Sequence, residues 1–240
     1  NGRAQITSPP RTLPHDSVYR IVANVTDKNR MAVPGQAMVK VSRGLFTLRA
    51  YTDRYSYNVD DTVKATVESK TIDGRPVSEA VYVRVDRSEW IKDSGGNWKK
   101  KTRKVSEKTL RTKDGKATYE IGARKTGSYT ISLKSEDRRG NVIETTKNFY
   151  VYSKSGGWYI PGENGSIEII TDRKGYQAGD TAKLIFMSSL ENATMLITVE
   201  GDRIYEHKVV ALDGANAYYE VKLKDEYAPN VYVNATVVSG

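Results

Sequence analysis

The sequence predicts an all-β protein made of tandem antiparallel immunoglobulin-like sandwiches, and three observations carry that reading. Short runs alternate apolar and polar residues. Turn dipeptides separate the runs at intervals of about ten residues. Two sequence patterns each occur twice, in the same order along the chain.

The alternation is plain in Val81, Val83 and Val85, which interleave with Tyr82, Arg84 and Asp86. A period of two turns one face of a strand inward and leaves the other to solvent. Ala117 to Ile121, Tyr129 to Leu133 and Leu196 to Val199 follow the same rule. Thr, Val, Tyr and Ile fill these runs, as half-buried pleated surfaces favour. Between them stand Asp73-Gly74, Asp114-Gly115, Arg139-Gly140-Asn141 and Asp213-Gly214, which suit tight turns. No long apolar pattern of helical period interrupts the series, so a sandwich class follows.

The first repeat is Asp53-Arg54-x-x-Tyr57-x-x-Asp60-Asp61-Thr62-Val63-Lys64, which recurs as Asp172-Arg173-x-x-Tyr176-x-x-Gly179-Asp180-Thr181-Ala182-Lys183. Each copy follows an alternating run: Phe46, Leu48 and Ala50, or Ile167 and Ile169. The second repeat runs from Tyr19 through Ile21 to Asp27, then Val39 and Val41. It recurs from Tyr129 through Ile131 to Asp137, then Phe149 and Val151. One pattern opens a module and the other closes it. Residues 1–43 are then the C-terminal part of one sandwich, 44–153 a complete one, 154–165 a linker, and 166–240 a third. Ser153-Lys154-Ser155-Gly156-Gly157 has the small residues of a flexible connection. By this alignment the third module lacks its last strand, which leaves an open sheet edge.

Composition narrows the chemistry. The chain has 240 residues, no cysteine and two histidines, His15 and His207. Disulfides, thiol nucleophiles and cysteine-based metal sites are excluded, and histidine catalysis has little to work with. No apolar stretch reaches the roughly 18 residues of a membrane span. Nucleophile elbow, zinc-protease, dinucleotide and phosphate-loop motifs are absent, so no cofactor and no enzymatic activity are expected of this segment. The net charge is +9, with its densest run at Lys99-Lys100-Lys101, Arg103 and Lys104. A nucleic-acid surface is one reading. A solvated hairpin whose lysines guard a sheet edge is the other, and it is preferred because no nucleic-acid motif accompanies the charge.

The candidate site residues are those of the repeated opening motif: Asp53, Tyr57, Asp61, Asp172, Tyr176, Gly179 and Asp180. With Asp60, the carboxylates suggest a calcium site, since hard cations want clustered oxygens. Their recurrence at the same module positions favours turn chemistry, with Asp accepting backbone N–H groups. Tyr57 and Tyr176 are expected at sandwich corners, each hydroxyl tied to backbone. Trp90, Trp98 and Trp158 suit either loop and joint packing or a contact surface. Four glycosylation sequons begin at Asn24, Asn164, Asn192 and Asn234; Thr-rich strands produce them by chance.

In order and spacing, these motifs resemble the macroglobulin domains of bacterial α2-macroglobulin-like proteins. Asp172 to Lys183 followed by Leu184-Ile185-Phe186 is similar to the opening of such a domain. Glu200 and Ala228-Pro229-Asn230-Val231-Tyr232-Val233 resemble the domain that precedes or carries the bait region. Module 44–153 is similar to the macroglobulin domain before it, closed by Gly127-Ser128-Tyr129 and Asp137-x-x-Gly140-Asn141. The resemblance implies a structural segment of a broad-spectrum protease-trapping inhibitor, with target proteases and neighbouring macroglobulin domains as partners. Nucleic acid is not an implied partner, and a membrane only through an anchor outside this segment. It implies a periplasmic or cell-envelope location, possible as a lipoprotein, with the extracellular space as second choice. The family's thioester needs a cysteine before a Glu-Gln pair, so no thioester residue carries over. The alternative is a cell-surface stalk or adhesin whose immunoglobulin-like modules bind protein or carbohydrate, for one fold serves many functions.

Overall fold

The computed structural model describes residues 5, 7, 16–26, 28, 30–153, 167–190, 193–212 and 216–238. The expected linker 154–165 with Trp158 and Asn164, and also His15, Asp27, Asn192 and Asp213-Gly214, lie outside the described residues.

Strands β1 (Ser17–Thr26) and β2 (Ala32–Val41) form a hairpin that belongs to neither following sandwich. Its apolar side chains find no core among the described residues: Val18, Ile21, Val25 and Val33 are all more than half exposed. A lone two-stranded ribbon is marginal in water, so this surface needs a partner.

The complete module follows as β3 (Thr47–Thr52), β4 (Ser56–Asn58), β5 (Thr62–Lys70), β6 (Ala80–Lys92), β7 (Trp98–Arg111), β8 (Lys116–Gly122), β9 (Gly127–Glu136) and β10 (Val142–Tyr152). They make two sheets, in the orders β3-β5-β8 and β4-β10-β9-β6-β7. All pairs are antiparallel except the short parallel contact of β10 with β4. The inward positions read from the alternation form one core, with Val63, Val67, Val81, Val83, Ile131 and Leu133 fully or almost fully buried. Phe149 holds its centre, stacked on Tyr129 at 5.0 Å and met edge-on by Tyr57 at 5.5 Å. Burying each aliphatic side chain contributes about 1.5–3 kcal/mol, so the period-two pattern is what holds the sheets together.

The hairpin β1–β2 repeats the pairing of β9–β10. Ser17 faces Val41 as Gly127 faces Val151, and Thr26 faces Ala32 as Glu136 faces Val142. The turns agree as well: Arg30 and Gly140 take the same position with positive φ, 64° and 78°.

The third module contains β11 (Ile167–Thr171), β12 (Thr181–Ser188), β13 (Thr194–Glu200), β14 (Ile204–Ala211), β15 (Asn216–Lys222) and β16 (Tyr232–Val238), with a 3-10 turn at Asp225–Tyr227. Its sheets run β11-β12-β15 and β14-β13-β16. A register shift between Val199 and Glu200 matches one between Val85 and Asp86, which aligns β13 with β6 and β16 with β9. In the complete module β9 carries β10 on its outer edge; β16 carries no such neighbour among the described residues. Val231, Val233 and Ala235 are accordingly only half-buried, whereas Tyr129, Ile131 and Leu133 are buried. An open groove of about 480 Å³, lined in part by Leu184, Val221, Tyr227, Val231 and Val233, runs beside this edge.

Candidate functional site

The repeated motif builds the same corner twice. In the first copy the Tyr57 hydroxyl donates to Asp53 Oδ1 at 2.5 Å and accepts from the Arg54 N–H at 3.0 Å. Asp61 Oδ2 accepts the Asn58 N–H and pairs with Arg54 Nη1 at 3.2 Å, and the Arg54 guanidinium lies over the Tyr57 ring. In the second copy Tyr176 donates to Asp172 Oδ1 at 2.6 Å and accepts from Arg173 N–H at 3.1 Å. Asp180 Oδ2 accepts the Gln177 N–H and meets Arg173 Nη1 at 3.4 Å, with that guanidinium over Tyr176. Gly179 stands where Asp60 stands, both at positive φ, 88° and 72°.

The corner is a closed device: Asp fixes Tyr, Tyr fixes the main chain, and Arg bridges to the second Asp. The spacing follows from it, because the hydroxyl of Tyr must reach a carboxylate four residues earlier. The Asp side chains are taken up by hydroxyl, N–H and guanidinium donors, which is the turn chemistry. Among the described residues no group of three or more Asp, Glu, His or Cys side chains is arranged to hold a metal ion. Burial, together with the bond to Asp53, pushes the Tyr57 hydroxyl well above the ordinary tyrosine range. Burial and Asp172 push Tyr176 up to about 12. Both hydroxyls therefore stay protonated donors at neutral pH.

The two corners meet. The Tyr55 N–H, between the motif residues of the first corner, donates to the Asp172 carbonyl of the second at 3.0 Å. Two ammonium groups lie over the Tyr55 ring, Lys147 at 4.4 Å and Lys174 at 5.7 Å from its centroid. Beside it a second apolar cluster forms from Tyr152 at the end of β10 and Ile170, Ile185 and Met187 on the outer face of β11 and β12. Tyr150 and Tyr218 pack against it. Tyr152 stacks on Tyr218. Four buried side chains of this size outweigh the about 1 kcal/mol of the single backbone bond, so the joint is held by apolar contact.

This joint is what the alternation rule overlooked. In β5 the outward positions are Thr66 and Glu68; the aligned positions of β12 are Ile185 and Met187. Thr118 of β8 likewise becomes Tyr218 of β15, each opposite the same position of its neighbour. The unbroken run Leu184-Ile185-Phe186-Met187 is the signal, since a strand apolar on both sides is covered on both sides. Burial raises the Tyr152 hydroxyl, and burial with the hydrogen bond to Glu220 raises that of Tyr218, so the stacked pair is uncharged.

The predicted basic run falls on β7, the edge strand of the five-stranded sheet. Trp90 and Trp98 lie on the far halves of β6 and β7, away from the joint.

Residues 167–240 match the model of the alpha-2-macroglobulin bait region domain. An alpha-2-macroglobulin of Ralstonia nicotianae is 28% identical over 134 residues, covering 52% of this chain and 8% of that protein. An alpha-2-macroglobulin homolog of Nostoc is 19% identical over 242 residues, covering 98% of this chain and 13% of that protein. A crystal structure of a Salmonella alpha-2-macroglobulin mutant aligns with a TM-score of 0.36 at 14% identity, covering 91% of this chain and 15% of that one. This chain thus spans 8% and 13% of the length of those two relatives. The chain is similar to bacterial alpha-2-macroglobulins, and its residues 167–240 match the bait region domain of that family.

Proposed function

We propose that this chain is a non-catalytic structural segment of a broad-spectrum protease-trapping inhibitor. The observation that carries the reading is the match of residues 167–240 to the bait region domain, in a module seated on a complete sandwich through an apolar aromatic joint. A trap must convert one cut into a movement of whole modules, and stiff connections between neighbouring modules serve that purpose. The titratable side chains of the two corners are engaged in building turns, which leaves no nucleophile and base pair there.

In this reading residues 1–43 close a preceding sandwich, whose remainder covers the exposed apolar face of β1 and β2. Among the described residues the third module has no counterpart of β10, nor of the short β4 that pairs with it. A strand from elsewhere in the intact protein pairs with β16 as β10 pairs with β9 and fills the groove beside it. The partners are target proteases, met by the intact protein, and neighbouring macroglobulin domains. The location is the periplasm or cell envelope.

The test is limited proteolysis of the intact parent protein with several proteases of unrelated specificity, with small-angle scattering before and after. One cut region shared by all of them, accompanied by compaction, is the expected result. Scattered cuts with unchanged dimensions would overturn the reading and leave a surface stalk.

A further inference from the structure

One element has no counterpart in the neighbouring module. After the register shift Asp86 faces Lys104, as Glu200 faces Ile204 in the third module. There the chain turns back at once through 201–203, but in the complete module it runs out and back through residues 87–103. Strand β9 accompanies β6 only as far as Ser88. From Glu89 to Lys101 the two strands therefore form an arm that stands clear of the sandwich, and none of residues 88–105 is buried.

The arm is built rather than loose. Its strands pair through to Lys92 and Trp98. At the tip the Asp93 carboxylate accepts the N–H groups of Gly95 and Asn97, each at 2.9 Å, and pairs with Lys99 at 3.0 Å. Trp90 faces Lys100 and Lys92 faces Trp98 across the ladder, so all four side chains share one face. The Lys92 ammonium lies 4.8 Å from the Trp98 ring centroid. Residues 87–103 hold six cationic side chains against Glu89 and Asp93.

Guarding a sheet edge needs the charge alone; it gives no reason for two tryptophans outside any core. The composition selects among partners. Protein interfaces deplete lysine and favour arginine at their centres. A nucleic-acid stacking platform needs open aromatic faces, and the Lys92 ammonium covers one face of Trp98. Tryptophan interleaved with lysine suits the bilayer interface, where the indole sits at headgroup level and the flexible amine reaches phosphate.

We propose that the tip of the β6–β7 arm docks on an anionic phospholipid bilayer, with Trp90 and Trp98 at headgroup depth and the flanking lysines against lipid phosphates. This stands independently of the protease-trapping reading. The test is vesicle flotation of the 240-residue chain with phosphatidylglycerol-containing and pure phosphatidylcholine vesicles. Tryptophan fluorescence is followed in a Trp158→Phe background, with brominated acyl chains as quencher. The expected result is binding to the anionic vesicles with quenching of the remaining tryptophans. Trp90→Ala with Trp98→Ala is expected to lower partitioning about tenfold or more. Lys100→Glu with Lys101→Glu is expected to do the same. Both pairs should leave the thermal midpoint unchanged, as the arm lies outside the core. Binding that survives loss of both tryptophans, or binding of the Trp158→Phe chain without quenching, would be adsorption by net charge and would overturn the proposal. So would absence of binding, or tighter capture by single-stranded DNA or an acidic protein than by the vesicles.

Discussion

The ring of Tyr152, at the end of the complete module, stacks on that of Tyr218 in the third module, centroids 5.4 Å apart and planes 21° from parallel. Each residue sits where its own module has no further use for an aromatic. Tyr152 follows the last core position of β10, and Tyr218 points away from the core side of β15. A shared aromatic contact of this kind makes two sandwiches lean on one another, and apolar contact restrains the relative motion that is otherwise the default between domains.

The first prediction concerns that contact. Tyr152→Ala removes a buried aromatic ring from the joint, at a cost of about 3 kcal/mol by analogy with core aromatic truncations. The loss falls on the coupling between modules rather than on either core. Calorimetry is expected to show one transition for the parent chain resolving into two for the variant. A single unchanged transition would mean the modules do not communicate through this joint.

The corner hydroxyls can be tested one oxygen at a time. Tyr57→Phe strands the Arg54 N–H and removes the donor to Asp53, whose carboxylate is half exposed, so water takes up part of the loss. Tyr176→Phe makes the same chemical change beside Asp172, whose side chain is only 9% exposed. Leaving a buried partner short of a donor costs about 1–3 kcal/mol. Denaturant titration should show the larger loss for Tyr176→Phe.

The dependence on pH has two limbs. On the acid side, burial works to raise the Asp137 carboxyl. The bonds from the Asn141 side chain and the N–H groups of Leu45, Asn141 and Arg139 more than reverse this and hold it well below the ordinary carboxylate range. A depressed folded value gives stability that is complete above the unfolded value near 4 and disappears as pH falls below it. Asp137→Asn is expected to flatten that limb in thermal melts between about pH 4 and 2. On the alkaline side, Tyr57, Tyr176 and Tyr218 are held protonated by the fold. Their contribution is complete below the unfolded value near 10 and is lost as pH rises past it.

The strands and their faces were legible because each side chain of a half-buried strand reports its side directly: Val81, Val83 and Val85 could only be inward. The repeats were legible because the corner of Asp53, Tyr57 and Asp61 is made within a few residues, so its spacing survives in the sequence. The joint was not, because Tyr152, Ile170 and Tyr218 are far apart in sequence and meet only after both sandwiches exist. The arm was read as a lysine-rich hairpin, but its length past the sheet depends on where β9 ceases to accompany β6. That is a property of pairing and leaves no residue pattern of its own. The same holds for the exposed face of β1 and β2, whose alternation resembles that of β9 although no core lies beneath it among the described residues.

The last prediction isolates backbone conformation from packing. Gly179 and Asp60 occupy the same turn position at positive φ, and a side chain added at Gly179 would meet nothing within 4 Å. Any cost of Gly179→Ala is therefore conformational. The left-handed region disfavours a β-carbon by about 1–2 kcal/mol, offset in part by the reduced freedom of the unfolded chain. A net loss of about 1 kcal/mol is expected in urea denaturation. Gly179→Asn should lose less, because a short polar side chain tolerates this region and Asp60 already holds it in the other copy. The reverse exchange, Asp60→Gly, relieves the same strain and should leave stability equal or slightly higher. If Gly179→Ala is silent while Asp60→Gly destabilises, the Asp60 side chain and not the backbone sets the turn, and the two corners differ in what holds them.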